Sequence, residues 1–268
     1  MCVFDGDFFD AVVPPDAPPA TRLLEVLLWR GFLVEQVRGN VMLCRGSHDR
    51  DAITLAGLGL AVEPVTGDPG HLARIRLAAG CDEGHALRSV FLLPPQNGMA
   101  GPFDWGGRVN DGFQTFRRLR YGVKVPAVHL DPGVALLVKA LPLCGVHTVM
   151  SCDGHTRQSP HVCLFSDIHL LWCRAVVREV LRRHPVPGTD GWRFGQDGDG
   201  WMSRRWLLGE GGSGPGLAGR LAAYRPIQSF ARVLMRPDVG PRARRAKQAA
   251  GCPGDFADAL ARSFDEPI

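Results

Sequence analysis

Residues 148–165 read TVMSCDGHTRQSPHVCLF and predict two neighbouring strands joined by a polar loop. The runs VHTVM (146–150) and HVCLF (161–165) are short, apolar and rich in β-branched residues, which is typical of strands. Between them, SCDGHTRQSP contains Ser, Asp, Gly and Pro, which favour turns and loops. Two cysteines and two histidines therefore lie in this loop and in the strand that follows it.

The segment that precedes these strands predicts a short helix. Asp131 is a good N-cap, and Pro132 occupies the first helical position. Apolar residues then recur with the helical spacing i, i+3, i+4 and i+7, at Val134, Leu137, Val138 and Leu141. Pro142 ends this helix, because its ring blocks continuation. After the second strand, Asp167 caps a longer helix that we expect to run from Ile168 to Arg183.

The flanking runs complete a sheet backed by helices. AVHL (127–130) predicts a strand before the first helix. GWRF (191–194) and SRRWLL (203–208) predict a hairpin around the turn GQDGDG (195–200). The resulting order is β-α-β-β-α-β-β, and we expect its strands to form a mixed sheet. The predicted fold class is therefore α+β or α/β.

Composition shifts divide the chain into three segments. Residues 1–95 predict a small α+β region, with a helix at TRLLEVLLWRGF (21–32) and a hairpin at LVEQV (33–37) and VMLCR (41–45). A run dense in Gly and Pro, PPQNGMAGPFDWGGR (94–108), predicts a linker. Residues 105–208 form the predicted core, which carries the Cys/His loop. Residues 209–268 form a Gly-rich linker followed by a helical basic tail.

Bulk composition is that of a soluble globular protein. Hydrophobic residues make up 45% of the 268 residues and charged residues 22%, which allows a real core. No apolar run approaches the ~20 residues of a membrane span, and the first residues are acidic where a signal peptide needs Lys or Arg. We therefore expect no membrane partner and a cytoplasmic location. The eight cysteines form no CxxC pair, so they are interpreted as thiols or ligands and not as a standard zinc finger.

The Cys/His loop predicts a metal site. If the two strands are neighbours, Cys152, His155 and His161 can converge, and Cys163 can complete a closed set of four ligands. Zinc accepts such nitrogen and sulfur donors, and three protein ligands with a water form its catalytic pattern. Asp153 would orient a ligand or act as general base.

The same residues allow a cysteine nucleophile. Cys152 lies beside His155 and His161, either of which could take the proton from its thiol. Backbone amides of the Asp153–Gly154 turn could then stabilise an oxyanion. A structural loop is a third interpretation, in which Ser151 and Asp153 bond the local backbone.

Basic residues with aromatic neighbours predict contacts with phosphate. DGFQTFRRLRYG (111–122) has helical spacing, and with the preceding loop it yields the candidate phosphate-binding residues Arg108, Arg117, Arg120 and Tyr121. A core-facing Phe stripe with a solvated basic face is the alternative. A second basic run comprises Arg236, Arg242, Arg244, Arg245 and Lys247. It is either a solvated segment or a surface that binds nucleic-acid backbone.

The loop also carries two resemblances. One pattern is similar to a group of uncharacterised bacterial and phage-borne proteins. It consists of RYG (120–122), a strand, a capped helix and then G-V-x-T-x-x-S-C-D-G-H (145–155). The S-C-x-G-H loop resembles the S-C-x-G-R loop of the wybutosine-synthesis tRNA methyltransferase family, where it follows a strand in an α/β domain that acts on a tRNA guanosine. Ser151, Cys152 and Gly154 match that pattern, and His155 replaces its Arg. This resemblance implies an enzyme that modifies RNA.

Together these patterns predict a zinc-binding protein that acts on a nucleotide or nucleic acid. A metal-activated water would carry out the reaction, as in a metal-dependent hydrolase, with Ser151, Cys152, Asp153 and His155 as the candidate catalytic residues. Two alternatives remain open. One is a non-enzymatic module with structural zinc that binds nucleic acid or protein. The other is an enzyme that uses Cys152 as its nucleophile.

Overall fold

The computed structural model describes residues 4–96, 112–118, 124–195, 204–209 and 216–266. Its helices are α1 (Gly6–Val12), α2 (Pro19–Trp29), α3 (Asp49–Gly57), α4 (Glu83–Phe91), α5 (Phe113–Arg118), α6 (Pro132–Ala140), α7 (Asp167–Arg183), α8 (Leu217–Leu234), α9 (Val239–Ala249) and α10 (Phe256–Asp265). Its strands are β1 (Val34–Val37), β2 (Asn40–Cys44), β3 (Leu60–Pro64), β4 (His71–Leu77), β5 (Thr148–Cys152), β6 (His161–Leu164), β7 (Trp192–Gly195) and β8 (Arg205–Leu208). None of these helices combines the length and the apolar character needed to cross a bilayer.

The strands form two four-stranded sheets, and the α+β fold class is confirmed. The first sheet has the order β1-β2-β4-β3 and the second β5-β6-β8-β7. Every strand pair in the described residues is antiparallel. The core sheet β5-β6-β8-β7 is therefore antiparallel where a mixed sheet was expected, and the first sheet lies in the predicted N-terminal α+β region. Short loops such as the one between β5 and β6 join antiparallel neighbours, whereas parallel pairing requires a long crossover.

The predicted hairpins are confirmed. β1 and β2 pair around Arg38 and Gly39, which both have positive φ, of 50° and 80°. This conformation matches the twist of the flanking strands. In the second sheet β5 pairs with β6, and β7 pairs with β8 as the pattern of GWRF and SRRWLL predicted. Residues 196–203, which include most of the predicted GQDGDG turn, lie outside the described residues.

The prediction of a strand at AVHL is wrong. Residues Ala127–His129 form a 3-10 turn, because side chains of other elements bind their backbone groups. The carboxylate of Asp51 accepts a hydrogen bond from the amide of Ala127 at 2.8 Å. The guanidinium of Arg30 donates to the carbonyl oxygens of Ala127 and Leu130. These bonds replace the ladder that a neighbouring strand would have provided.

A buried ion pair holds this turn against α6. The side chains of Asp51 and Lys139 are 1% and 2% exposed, and Lys139 donates a hydrogen bond to Asp51. Lys139 also donates to the carbonyl of Val125 at 3.0 Å. Burial lowers the pKa of Lys139, and the Asp51 carboxylate opposes that change. The pair therefore connects α3, the segment before α6 and α6 itself.

One hydrophobic core includes side chains from all three predicted segments. It extends from Phe4 in the first segment to Phe264 in the last. Every residue of α6 is buried, which places this helix at the centre of the core. The division into segments 1–95, 105–208 and 209–268 remains a prediction from the sequence.

The basic run near the C-terminus is largely bonded inside the molecule. Arg242 donates to the carbonyls of Ser263 and Glu266. Lys247 is 1% exposed, donates to the carbonyl of Gly145, and lies 4.0 Å from the centre of the Phe116 ring. Burial lowers the pKa of Lys247 to about 7. These side chains stabilise the packing of α9 against its neighbours.

We expect Lys139→Met to lower the free energy of unfolding by about 3–5 kcal/mol, because it leaves the Asp51 carboxylate buried without its partner. Urea unfolding measures this loss. Arg178→Met, at an exposed arginine of α7, is the control, with an expected change below about 0.5 kcal/mol. The double variant Asp51→Asn/Lys139→Met should lose less than the sum of the single variants. Equal losses for Lys139→Met and Arg178→Met would contradict the role of the pair.

A second polar cluster ties β4 to β1. His71 Nε2 lies 2.5 Å from Glu35 Oε1, and His71 Nδ1 lies 2.7 Å from Asp68 Oδ2. Burial alone would lower the pKa of His71, because it disfavours the charged ring. The hydrogen bonds to Asp68 and Glu35 outweigh this effect, so the pKa of His71 is raised. The charged form of His71 is therefore favoured by folding.

We expect this cluster to stabilise the protein at mildly acidic pH. Because the folded pKa of His71 is raised, its contribution is fully present below the unfolded pKa of about 6.5 and is lost as pH rises through the folded pKa. The test compares the free energy of unfolding of wild type and His71→Gln at about pH 5.5 and pH 9. The destabilisation by His71→Gln should be larger at pH 5.5. A constant difference would exclude the charged histidine as its cause.

Candidate metal site

Four potential metal ligands meet where the N-terminus of α6 approaches the end of β5. Asp131, Cys152, Asp153 and His155 each offer one ligand atom, and these atoms all lie within 4.8 Å of one another. Carboxylate oxygen, thiolate sulfur and imidazole nitrogen are all established zinc ligands. The cluster can therefore hold a metal ion.

Asp131 is supplied by the start of α6. It is the N-cap residue, as predicted, but its side chain forms no capping hydrogen bond. Instead Asp131 Oδ2 accepts a hydrogen bond from the amide of Asp153 at 3.4 Å, and it lies 4.0 Å from His155 Nε2. Its carboxylate is thus directed across the gap between the helix and the loop.

The loop after β5 orients the other donors. Gly154 and His155 both have positive φ, of 81° and 46°, so the chain turns sharply after Asp153. Asp153 Oδ1 stabilises this turn, since it accepts from the amide of His155 at 3.0 Å and lies 3.1 Å from His155 Nδ1. A Cβ at position 154 would lie 3.2 Å from the backbone nitrogen of Pro160, which favours Gly there. The ring nitrogen Nε2 of His155 is left facing Asp131.

Close packing fixes the distance between α6 and this loop. A Cβ at Gly133 would lie 2.6 Å from the Tyr224 ring and 2.9 Å from Asp153 Cβ, so a side chain cannot be accommodated there. The hydroxyl of Tyr224, on α8, donates to the carbonyl of Asp153 at 2.8 Å. Gly133 and Tyr224 therefore position the donors, a role that sequence reasoning missed.

The charges in the cluster favour a cation. Burial raises the pKa of Asp153 to about 6, with a further contribution from the charge of Asp131. Burial also raises the pKa of the Cys152 thiol; the Gly154 amide opposes this, and the Asp131 and Asp153 carboxylates add to it. Both groups are thus harder to ionise than in water. A bound metal ion would favour their charged forms.

The structure does not bring all predicted ligands together. His161 is the direct partner of Cys152 across the strands, yet it lies outside the cluster, with its Nδ1 3.2 Å from the carbonyl oxygen of Ser159. Cys163 is buried opposite Met150 and is also outside the cluster. Ser151 pairs with Val162 in the strand ladder and is likewise not part of it.

Arg117 is the one predicted phosphate-binding residue among those the structure describes, and it is not part of the metal cluster. Arg117 donates two hydrogen bonds to the carbonyl of Gln248. Arg108, Arg120 and Tyr121 lie outside the described residues.

We expect Cys152 to react slowly with iodoacetamide in metal-free protein near pH 7.5, because its raised pKa reduces the fraction of reactive thiolate. Cys81 and Cys252 are exposed and serve as internal references. Mass spectrometry of peptides after timed alkylation measures the three rates. If Cys152 reacts before both references, it is an activated nucleophile and the expectation is wrong.

Comparisons of the chain with protein-family models, curated proteins and solved structures found no match. The interpretation of the cluster therefore depends on its donor atoms, their distances and their burial. Two carboxylates, a thiol and an imidazole at the junction of α6 and β5 form a candidate metal-binding site.

Proposed function

We propose that the chain binds one zinc ion through Asp131, Cys152, Asp153 and His155 and is a metal-dependent hydrolase. The observation that carries the metal-binding part is the convergence of four donor atoms within 4.8 Å. They come from two separate elements, a helix N-terminus and a strand end with its loop.

The donor types favour zinc over other common ions. Magnesium and calcium prefer oxygen ligands throughout, so a thiol in the set argues against them. Zinc accepts carboxylate, thiolate and imidazole together. With bonds of about 2.0–2.3 Å, the edges of a zinc tetrahedron measure roughly 3.3–3.8 Å. The distance of 4.0 Å from His155 Nε2, the nitrogen that faces the metal position, to Asp131 Oδ2 is close to the upper end of that range.

The exposure of the donors supports a reactive site more than an enclosed structural one. The Asp153 side chain is 1% exposed, whereas those of Asp131 and His155 are 20% and 54% exposed. One side of the cluster is therefore open to solvent, which would leave room for a water and a substrate. When bound, a divalent metal supplies Lewis-acid chemistry and makes a water a better nucleophile.

The chain's own residues have separate roles in this proposal. Asp153 orients the His155 ring through Nδ1, so that Nε2 faces the metal position. The open side next to Asp131 and His155 admits the substrate. A nucleotide or nucleic acid as that substrate remains a prediction from the sequence, since of its four proposed contacts only Arg117 is among the described residues.

The thiol-nucleophile alternative is less well supported. An activated cysteine needs a lowered pKa and a nearby cationic group. Here burial and two carboxylates raise the pKa of Cys152. The same surroundings that hinder a free thiolate would favour a metal-bound one.

Elemental analysis of protein purified without an affinity tag tests the proposal. We expect about one zinc per chain in wild type and a clearly lower zinc content in Cys152→Ser, His155→Ala and Asp131→Asn. Each substitution removes one ligand and should weaken zinc affinity at least tenfold. His161→Asn decides between the two ligand sets. This variant should retain zinc if Asp131, and not His161, binds the ion. It should lose zinc if Cys152, His155 and His161 are the ligands, as the sequence alone predicts.

Two controls separate metal loss from unfolding. Cys81→Ser and His85→Ala replace exposed residues outside the cluster and should keep the zinc. The protein should remain folded after chelation and lose only the stabilisation that zinc binding itself supplies, because Tyr224 and the packing at Gly133 already hold the loop. Absence of metal from wild type, together with no uptake of added zinc, would contradict the proposal. Collapse of the fold on chelation would instead indicate a structural zinc.

A further inference from the structure

A second site lies beyond the other end of α6. A cavity of about 820 Å³ opens between α2, the first sheet and the junction of α8 with α9. Its aliphatic lining comes mainly from Leu24, Leu28, Leu33, Leu72, Leu143 and Leu234. Leu143 follows α6 whereas Asp131 precedes it, so the cavity and the metal cluster are separated by about 14 Å of helix.

Five cationic side chains are among the described residues that line this cavity: Arg45, Lys124, Arg232, Arg236 and Arg244. Arg232 and Arg236 are in ion pairs with Glu25 and Asp238, and Arg244 donates to the carbonyl oxygen of Leu143, whereas Arg45 and Lys124 bond to backbone carbonyls. Arg45 donates to the carbonyl oxygen of Asp68 at 2.9 and 2.7 Å, and Lys124 donates to the carbonyl oxygen of Arg45 at 2.7 Å. The carboxylate of Asp68 is bonded to His71 instead. Within the described residues neither Arg45 nor Lys124 forms an ion pair.

Other features of the lining add to the positive potential. Glu35 is the single carboxylate among the described lining residues, and it is bonded to His71. The first turn of α9 lines the cavity through Gly240 and Pro241, and a helix N-terminus carries a partial positive charge. An anionic group is therefore favoured at this rim.

We propose that this cavity binds a single-chain anionic amphiphile, with its aliphatic tail on the leucines and its carboxylate or phosphate head at Arg45 and Lys124. The volume lies within the ~300–1,000 Å³ of small-molecule sites. No aromatic side chain is present among the described lining residues, so the cavity offers no surface on which a nucleobase could stack. An aliphatic chain matches the leucines, and an anionic head matches the two cations.

Isothermal titration calorimetry with four twelve-carbon ligands tests this proposal. Dodecanoate and dodecyl phosphate carry the expected heads, whereas dodecanol and dodecyltrimethylammonium have the same tail with a neutral or a cationic head. All are used below their micelle-forming concentrations. We expect one anion per chain, bound at least about tenfold more tightly than the alcohol or the cation. The ratio between dodecanoate and dodecyl phosphate identifies the preferred head group.

Variants locate the binding site. Arg45→Gln and Lys124→Gln should each weaken binding of the anions roughly tenfold and leave the alcohol unaffected. Arg50→Gln, at an exposed arginine that does not line the cavity, is the matched control and should bind as wild type does. Leu72→Trp should abolish binding of all four ligands, because the ring fills the aliphatic space. Circular dichroism confirms that each variant is folded.

Three results would overturn the proposal. Equal affinity for all four ligands would show a non-specific apolar surface. Failure of folded wild type to bind either anion, or binding that Leu72→Trp leaves unchanged, would show that this cavity is not the site.

Discussion

The buried contact between Asp51 and Lys139 is the constraint on which the site depends. Removing two charges from water costs several kcal/mol per ion, so such a pair persists only where both ends are fully bonded. Here the pair also binds the backbone of Val125 and Ala127, in the segment that leads to Asp131. The segment that carries the first candidate ligand is thereby anchored to α3 and α6 at once.

The second requirement is close contact between α6 and the loop after β5. Gly133 allows the Tyr224 ring and Asp153 to approach the helix, and the Tyr224 hydroxyl holds the Asp153 carbonyl. The donors of the cluster are therefore fixed by packing and hydrogen bonds of the protein itself. A preformed arrangement of this kind loses little conformational freedom when an ion binds.

Local patterns predicted most of the elements but only part of the cluster. The pairing of β5 with β6, the hairpin at Arg38 and Gly39, and α6 follow from periodicity and turn chemistry. Asp131 was recognised as an N-cap, but its approach to His155 is a tertiary contact with no signal in the sequence. Strand register placed His161 opposite Cys152, yet it could not give the direction of the imidazole, which faces Ser159 instead. Side-chain direction at a loop depends on packing that periodicity does not encode.

Cobalt(II) substitution followed by absorption spectroscopy tests the assignment of the metal ligands, because it reports the ligands and not only the amount of metal. If Cys152 and His155 bind the ion with the carboxylates, one equivalent of cobalt should give a thiolate-to-metal charge-transfer band and the intense visible bands of a four-coordinate ion. Cys152→Ser should remove the first band, and Cys163→Ser should leave it unchanged. A charge-transfer band that disappears in Cys163→Ser, or no band in wild type, would contradict the assignment of the metal site to the junction of α6 and β5.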